Sequence, residues 1–323
     1  MSLEKRRLGR TGQMVTGIGL GGYQFTGEFG VHYDEADKIL DLAIDNGINF
    51  IDTAQMYGFG EGEALVGRSL RRRPDKQIII SDKVGYIDRG VARASGEDGY
   101  RDPVSLRRMI KHSMWLLQRD HVEIFMVHEP DAAYWGFDYE TGEAAVTSAL
   151  EDLKKEGVIG ALGLGCWNSE ILARLCASGR FDVALNAGGI TLLDAPMFKN
   201  LTRVAGERDI GIIVGGVLGQ GSAELIDKDY AKANGYLTDP DESKRARGKK
   251  LLRLYELSDS AGMTMPEMAL RYVLGFDEIH CHIPGARRVE HLSDNLAAYE
   301  KGKLARDLTE EIIKVRDLTG EIE

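Results

Sequence analysis

The chain has 323 residues, of which 43% are hydrophobic and 28% are charged. This balance is typical of a globular protein with a large core, and it excludes a disordered, collagen-like or small disulfide-stapled chain. The 41 basic and 51 acidic side chains give a net charge of −10. A surface this acidic repels phosphate backbones, so we expect no nucleic-acid partner.

The sequence also contains features that indicate the cellular compartment of the protein. The three cysteines show no paired spacing, which favours reduced thiols. The residues after Met1 are charged and lack the apolar stretch of a secretory signal. No run approaches the ~18 apolar residues of a membrane span. We therefore expect a cytoplasmic protein without a membrane partner, whose oligomeric state the sequence leaves open.

The predicted elements begin with a hairpin, in which Arg6–Leu8 turns back at Gly9–Gly12. Eight short apolar runs follow, and most are separated by helical patterns. The runs are Val15–Gly21, Asn49–Asp52, Ile78–Ile80, Ile124–His128, Ala161–Gly165, Val183–Leu185, Ile210–Val214 and Ile279–Ile283. The first helical pattern is capped by Asp34 and stops near Asn46. Two further patterns begin at Ser169 and at Met197. The others are Glu61–Arg72, Pro103–Leu117, Glu143–Glu156, Glu242–Ala261, Pro266–Leu274 and Val289–Tyr299.

Apolar runs without polar alternation are typical of strands buried on both faces, as in a parallel sheet. Eight strand–helix units favour a (β/α)₈ TIM barrel over an open sheet. The longest insert, Gly219–Phe276, lies between the seventh and eighth runs. Because no linker, repeat or low-complexity tract divides the chain, we expect a single domain over residues 1–323.

Polar residues end three neighbouring strands. Asp52 ends the second run and is followed by Tyr57, Lys83 comes after the third, and His128 ends the fourth. The carboxyl ends of barrel strands converge on one mouth, where catalytic groups gather. Each residue alone has an ordinary structural explanation, as a cap, a solvated strand end or an interior histidine. Together they predict an active site.

These segments resemble a known family. Residues 49–58, 81–83 and 127–128 closely resemble the three active-site segments of the aldo-keto reductases, and residues 7–12, 283–287 and 294–295 resemble the family's two ends. The resemblance spans residues 5–300. It implies a barrel closed underneath by the N-terminal hairpin, and NAD(P)-dependent interconversion of carbonyls and alcohols. Residues 181–193 are similar to the branch of sugar or aldose 1-dehydrogenases.

The expected chemistry follows from these residue types. Tyr57 would be the general acid in reduction and the general base in oxidation. A phenol has an ordinary pKa near ~10, which a buried Lys83 ammonium is expected to lower. Asp52 would hold Lys83, and His128 would orient the carbonyl oxygen where negative charge develops.

The glycines at 17, 19 and 22 match the G-x-G-x-x-G fingerprint of open dinucleotide-binding sheets. That motif needs a helix at once, whereas residues 23–30 read as a loop, so we reject it. The family resemblance implies instead that Gly21, Gly22 and Tyr23 line the nicotinamide end and that Asn168 binds the carboxamide. Cys166 interrupts the family's usual Ser-Asn pair, and Ile190 stands where an aromatic ring often stacks.

The remaining coenzyme contacts are expected after the seventh and eighth strands. Residues 216–221 resemble the loop that covers the pyrophosphate. Arg287 and Arg288 precede a predicted helix and suit a 2′-phosphate, which favours NADP(H) over NAD(H). The expected contacts are Gly21, Gly22, Tyr23, Asp52, Asn168, Val217, Leu218, Gly219, Gln220, Gly285, Ala286, Arg287, Arg288, His291, Asp294 and Asn295.

The substrate is expected to be a small aldehyde, ketone or sugar, because aromatic residues follow several strand ends. They are Tyr23, Phe25, Tyr134, Trp135 and Trp167. No metal is expected. His280, Cys281 and His282 look like ligands, but strand alternation sends the histidines and the cysteine to opposite faces.

Two other functions fit the same scaffold. The first is a Schiff-base aldolase with Lys83 as nucleophile, although Asp52 would keep that lysine protonated. The second is a nucleotide-sensing regulatory subunit, although a complete set of Asp52, Tyr57, Lys83 and His128 argues for an enzyme.

Overall fold

The computed structural model describes residues 3–85, 97–219 and 222–317. The chain opens with the expected hairpin, in which β1 (Lys5–Arg7) pairs antiparallel with β2 (Met14–Thr16). The predicted run Val15–Gly21 is in fact two strands. Val15 belongs to β2, and only β3 (Leu20–Gly21) enters the main sheet.

The main sheet contains eight parallel strands in chain order. After β3 they are β4 (Phe50–Asp52), β5 (Ile79–Val84), β6 (Val122–His128), β7 (Ile159–Cys166), β8 (Val183–Ala187), β9 (Gly211–Gly215) and β10 (Cys281–His282). The helices are α1 (Tyr33–Asp45), α2 (Glu61–Arg72), α3 (Pro103–Leu117), α4 (Ala145–Lys155), α5 (Ser169–Ala177), α6 (Leu201–Arg208), α7 (Tyr230–Tyr236), α8 (Glu242–Ser260), α9 (Met265–Val273), α10 (Val289–Glu300) and α11 (Arg306–Asp317).

The sheet closes on itself, which confirms the (β/α)₈ barrel. Ile18 bridges to His282 and Gly21 to Gly285, both parallel, beside β3 and β10. Backbone hydrogen bonds from Gly19 to His282 and from Gly21 to Pro284 complete the seam. The hairpin contributes Leu8 and Val15 to the cluster inside the barrel, so it seals the end opposite the carboxyl ends of the strands.

The register of neighbouring strands brings the polar strand ends together. Asp52 pairs with Ser81, and Lys83 follows two residues later on the same face. Lys83 pairs with Met126, and His128 again follows two residues later. On each of these strands, the polar residue therefore lies two residues further towards the carboxyl end than the residue paired with the previous polar group. This offset fits the stagger of the strands in a barrel.

Two local expectations need correction. Asp34 does not cap α1: the helix begins at Tyr33 with His32 at the N-cap, and Asp34 lies in the first turn. Its negative charge still interacts favourably with the positive end of the helix dipole there. The last helix, α11, was not expected, and it packs against α8.

Candidate active site

The structure brings Asp52, Lys83 and Tyr57 into direct contact. The Lys83 Nζ lies 2.6 Å from Asp52 Oδ2, 2.8 Å from the carbonyl oxygen of Thr53 and 3.1 Å from Tyr57 Oη. Asp52 and Lys83 are each only 1% exposed. The ammonium therefore donates all three of its protons to oxygen atoms, one of which belongs to the phenol.

Local structure holds these groups in place. Ser81 Oγ donates to Asp52 Oδ1 over 3.0 Å, which fixes the carboxylate from the neighbouring strand. Gly165 on β7 faces the aliphatic part of Lys83, where a Cβ atom would lie 3.2 Å from Lys83 Cδ. The lysine side chain thus crosses the barrel interior through space that only a glycine leaves open.

His128 lies beside this group at the end of β6. Its ring centroid is 5.9 Å from that of Tyr57, with the two planes almost perpendicular. The indole of Trp135 donates to the backbone oxygen of His128 over 3.0 Å. Burial and the nearby Lys83 ammonium place the pKa of His128 well below its ordinary value, so the imidazole is neutral.

Lys83 and Asp52 are a buried ion pair. Burial acts to lower the pKa of Lys83, but the charge of Asp52 and the contact with Tyr57 outweigh it, so the pKa is raised and the ammonium persists. Burial raises the pKa of Asp52, while Lys83 and Ser81 act in the opposite direction. Each partner would be costly to bury without the other.

The pKa of Tyr57 differs from the expectation. Burial raises it to about 12, even though Lys83 acts to lower it, and the charge of Asp52 adds to the increase. Lys83 thus acts in the expected direction, but the net shift of the pKa is upward because burial outweighs it. Desolvation of a phenolate outweighs the attraction of one ammonium that already has an anionic partner. The phenol is protonated at neutral pH, as a proton donor must be.

A cavity of about 500 Å³ opens beside Tyr57 and Asp52. Most of the expected coenzyme contacts line it, namely Gly21, Gly22, Tyr23, Asp52, Val217, Leu218, Gly219, Gly285, Arg287, His291, Asp294 and Asn295. Sequence reasoning missed other lining residues, including Gln24, Ser222, Ile226 and Pro266, because they follow no motif. The cavity extends from Asp52 and Tyr57 to a polar end that carries Arg287 and Asp294.

Three expected coenzyme contacts, Asn168, Ala286 and Arg288, do not line the cavity. Asn168 caps α5, and its Oδ1 accepts from the amides of Glu170 and Ile171 over 3.1 and 3.2 Å. Asn168 does not line the cavity, and its contact with a nicotinamide carboxamide stays a prediction. Ala286 is fully buried, Arg288 bonds His291, and Gln220 lies outside the described residues.

Asn186 is a structural residue that the sequence analysis overlooked. It is fully buried at the end of β8, accepts from Ser169 Oγ over 2.7 Å, and donates to the backbone oxygens of Cys166 and Trp167. It therefore ties the ends of β7 and β8 together. A polar residue directly after the apolar run Val183–Leu185 was the available signal.

The aromatic residues divide into two groups. Tyr23 lies 5.1 Å from the Tyr57 ring, and Trp167 is 45% exposed. The Trp167 indole packs over Gly188 and Gly216, where Cβ atoms would come within 2.7 and 3.3 Å of it. Tyr134 is partly buried against Trp135.

Phe25 and Trp135 were expected at the mouth, and this is wrong. Phe25 is fully buried, and Trp135 is 1% exposed. Phe25 packs below Gly22, where a Cβ atom would lie 3.3 Å from its ring. Trp135 supports His128 instead of facing solvent. Both aromatic side chains gain more from burial in the core than from lining a wet opening.

Cys166 and Ile190 occupy positions that differ from the family pattern. Ile190 is fully buried in the core. Cys166 Sγ accepts from the amide of Asn168 over 3.2 Å, and burial together with Glu129 raises the pKa of the thiol. Cys166 groups with Glu129 and Asp131. The ligand atoms of these three residues lie within 4.8 Å of one another.

Comparison with known proteins agrees with this geometry. Residues 17–317 match the model of the Aldo/keto reductase family. The chain belongs to this family. It is 28% identical over 302 residues to D-threo-aldose 1-dehydrogenase from Pseudomonas sp, covering 88% of each chain. It is 26% identical over 311 residues to NADH-specific methylglyoxal reductase from Escherichia coli K12, covering 92% of this chain and 93% of the relative.

A solved structure shares the fold. The holo form of aldo-keto reductase AKR11C1 from Bacillus halodurans superposes with a TM-score of 0.73 at 22% identity, and the match covers 97% of this chain and 96% of the other. This aldo-keto reductase therefore interconverts carbonyls and alcohols with a nicotinamide coenzyme. Lys83 donates all its protons to neighbouring oxygens, which leaves no free amine for an aldolase. In the described parts of the chain, no helix is long and apolar enough to cross a membrane.

Proposed function

We propose that Tyr57 transfers the proton in this reductase, as general acid in carbonyl reduction and as general base in alcohol oxidation. The observation that carries this proposal is the 3.1 Å contact between Tyr57 Oη and the buried Lys83 ammonium, at the wall of the cavity. A phenol with a pKa of about 12 holds its proton until the oxygen it faces becomes an alkoxide.

The four residues divide the chemistry between them. A nicotinamide bound in the cavity supplies the hydride to the carbonyl carbon. Tyr57 gives its proton to the carbonyl oxygen, and the phenolate that remains is stabilised by Lys83. Asp52 keeps Lys83 charged, and neutral His128 donates a hydrogen bond to the same carbonyl oxygen. In oxidation the alcohol proton would move to the phenolate form of Tyr57, which Lys83 stabilises, and a bound coenzyme would accept the hydride.

The coenzyme is proposed to be NADP(H), with NAD(H) also accepted. The cavity fits a dinucleotide because glycines at 21, 22, 216, 219 and 285 leave room along its wall. Arg287 lines its polar end, so a 2′-phosphate would meet its guanidinium group, and Arg288 follows it in the chain at the N-cap of α10. The relative from E. coli is named as NADH-specific, so the preference depends on this chain's own residues.

The substrate is proposed to be a small aldehyde, ketone or aldose. Tyr23 beside Tyr57 and the exposed face of Trp167 offer aromatic surfaces for a sugar ring. The similarity to D-threo-aldose 1-dehydrogenase supports the aldose. We place the enzyme in the cytoplasm as one domain, in keeping with its three buried free thiols.

A substrate panel with a Tyr57→Phe variant tests the proposal. Aldehydes, ketones and aldoses are screened by the absorbance of NADPH and NADH in parallel. Tyr57→Phe should lower kcat by at least roughly 10³-fold, because the proton donor is lost. Coenzyme affinity, measured by fluorescence titration, should change less than about two-fold, since the phenol is replaced without a change in shape. A Phe variant with wild-type kcat would show that another group transfers the proton.

A further inference from the structure

The first amide of α10 already has an anionic partner. The Val289 N–H donates to Glu35 Oε1 over 2.9 Å, although Glu35 lies 254 residues earlier, in α1. The Glu35 side chain is 28% exposed and lies 3.7 Å from Lys38. The free amides at the start of a helix attract anions, and here a carboxylate of the protein takes this place.

The same helix start borders the coenzyme cavity. Arg287 and His291 both line it. The Arg287 guanidinium lies 4.7 Å over the ring of Phe29, and Arg288 lies 3.0 Å from His291 Nε2. A guanidinium only donates, so His291 Nε2 is an acceptor and the ring is neutral. Positive charge at this end of the cavity therefore comes from Arg287, with Arg288 next to it in the chain and in contact with His291.

Acidic residues are also present at this end of α10. Glu35 lies at the first amide of α10, and the helix itself carries Glu290 and Asp294. A phosphate dianion at this end would be attracted by the guanidinium groups and repelled by the carboxylates. A ribose hydroxyl has no charge and can donate to a carboxylate. The charge of Glu35 therefore affects a 2′-phosphorylated adenosine much more than an adenosine with a free 2′-hydroxyl.

We infer that Glu35 is a selectivity residue for the coenzyme. Its carboxylate at the N-terminus of α10 offsets the attraction of Arg287 and Arg288 for a 2′-phosphate, so that the enzyme accepts NAD(H) alongside NADP(H). This inference rests on the proposed placement of the adenosine end near Arg287 and His291. Glu35 acts by its charge and touches no reacting atom, so the effect appears in binding and not in the proton transfer.

Calorimetry with two small probes tests the inference on the full-length protein. The probes are 5′-AMP and 2′,5′-ADP, which differ only by the 2′-phosphate. Glu35→Gln keeps an amide oxygen for the Val289 N–H and removes the charge. We expect the affinity for 2′,5′-ADP to rise about ten-fold, in the range of one charge-assisted contact. The affinity for 5′-AMP should change less than about two-fold.

Asp34→Asn is the matched control, because Asp34 is the neighbouring acid in the first turn of α1 and is exposed. It should leave the ratio of the two affinities unchanged. An unchanged ratio in Glu35→Gln, or an equal rise in Asp34→Asn, would overturn the selectivity role while leaving the coenzyme site intact. If neither probe bound the wild-type protein, the proposed coenzyme site itself would be wrong.

Discussion

Tyr57 shows how a side chain's acidity depends on more than its closest neighbour. Lys83 donates to its oxygen over 3.1 Å and acts to lower the pKa of the phenol, yet burial raises that pKa to about 12. The motif identifies both residues, because Lys83 stands near a strand end and Tyr57 follows one by five residues. The direction of the net shift depends on how much water the fold excludes, and no spacing in the sequence encodes that.

The role of Lys83 can be tested directly. Lys83→Met removes the ammonium that stabilises the phenolate, so kcat should fall by roughly 10²–10⁴-fold in both directions. Coenzyme binding, followed by fluorescence, should be retained.

A second variant controls for folding. Lys83→Met leaves Asp52 buried without its partner, which is destabilising. The double variant Asp52→Asn with Lys83→Met removes both charges and should regain thermal stability without regaining activity. Recovery of activity in the double variant would mean that Lys83 only balances the charge of Asp52.

Among single residues, the aromatic side chains were the least predictable. Phe25 and Tyr23 are two positions apart, yet Phe25 is fully buried and Tyr23 borders the cavity. Both follow a strand end, and sequence position cannot tell inside from outside in a loop. The cap formed by Asn168 was also not predicted, although its amide oxygen makes only local contacts there.

At the scale of elements, β7 is important because it contains glycines, which have no side chain. Its Gly165 faces the side chain of Lys83, and its Gly163 faces Met126, where a Cβ atom would lie 2.7 Å from Cγ. These glycines let side chains from β5 and β6 cross the barrel interior. The alternation of small and large residues on neighbouring strands is how a small barrel fills its core.

Gly165→Ala should therefore disturb the active site through packing. The added methyl group would lie 3.2 and 3.3 Å from Lys83 Cδ and Cε, which forces the lysine to shift. We expect kcat to fall about ten-fold, since a misplacement of ~1 Å can cost more than this. Gly206→Ala in α6, where a Cβ atom meets nothing within 4 Å, should leave kcat unchanged. Equal kcat values for the two variants would contradict the packing role of Gly165.

Element boundaries followed local patterns closely. The predicted helices Glu61–Arg72 and Pro103–Leu117 match α2 and α3 residue for residue. Asp102 caps α3 by accepting from the Ser105 amide over 2.8 Å, which is a purely local contact. The run Val15–Gly21 was misjudged because its two halves belong to different sheets: Val15 pairs within the N-terminal hairpin, whereas Leu20 and Gly21 pair with β4.

At the scale of the whole molecule, one buried pair links stability to pH. Glu63 on α2 and Asp82 on β5 interact in the interior, and each has one oxygen that accepts no hydrogen bond from the described residues. Burial raises the pKa of Glu63 to about 7, and burial together with Glu63 raises that of Asp82. A proton shared between the two carboxyl groups would satisfy both oxygens.

Stability should therefore fall as this proton is lost. At pH values above 4.5, the ordinary pKa of a glutamate, the unfolded chain has released this proton but the folded protein still holds it. The contribution is present below pH 4.5, and it declines as the pH rises towards 7. Between about pH 5.5 and 8.5, wild type should lose roughly 2 kcal/mol relative to Glu63→Gln, whose amide can donate to Asp82 at any pH. Thermal melts across this range measure the difference.

An exposed acid provides the comparison for this experiment. Glu300→Gln alters a side chain at the end of α10 that is exposed to solvent. Because this side chain is in contact with water in both the folded and the unfolded chain, we expect the effect of its substitution not to vary with pH. A pH-independent difference for Glu63→Gln as well would show that the buried pair does not hold a proton.

Pattern and composition were enough to predict a barrel of parallel strands, its hairpin, and the grouping of Asp52, Tyr57, Lys83 and His128. These features follow from local periodicity and from the rule that the carboxyl ends of barrel strands meet at one mouth. Tertiary structure alone decided the raised pKa of Tyr57, the burial of Phe25 and Trp135, and the contact of Glu35 with Val289. Each of these depends on desolvation or on neighbours hundreds of residues away, and such contacts exist only once the barrel has closed.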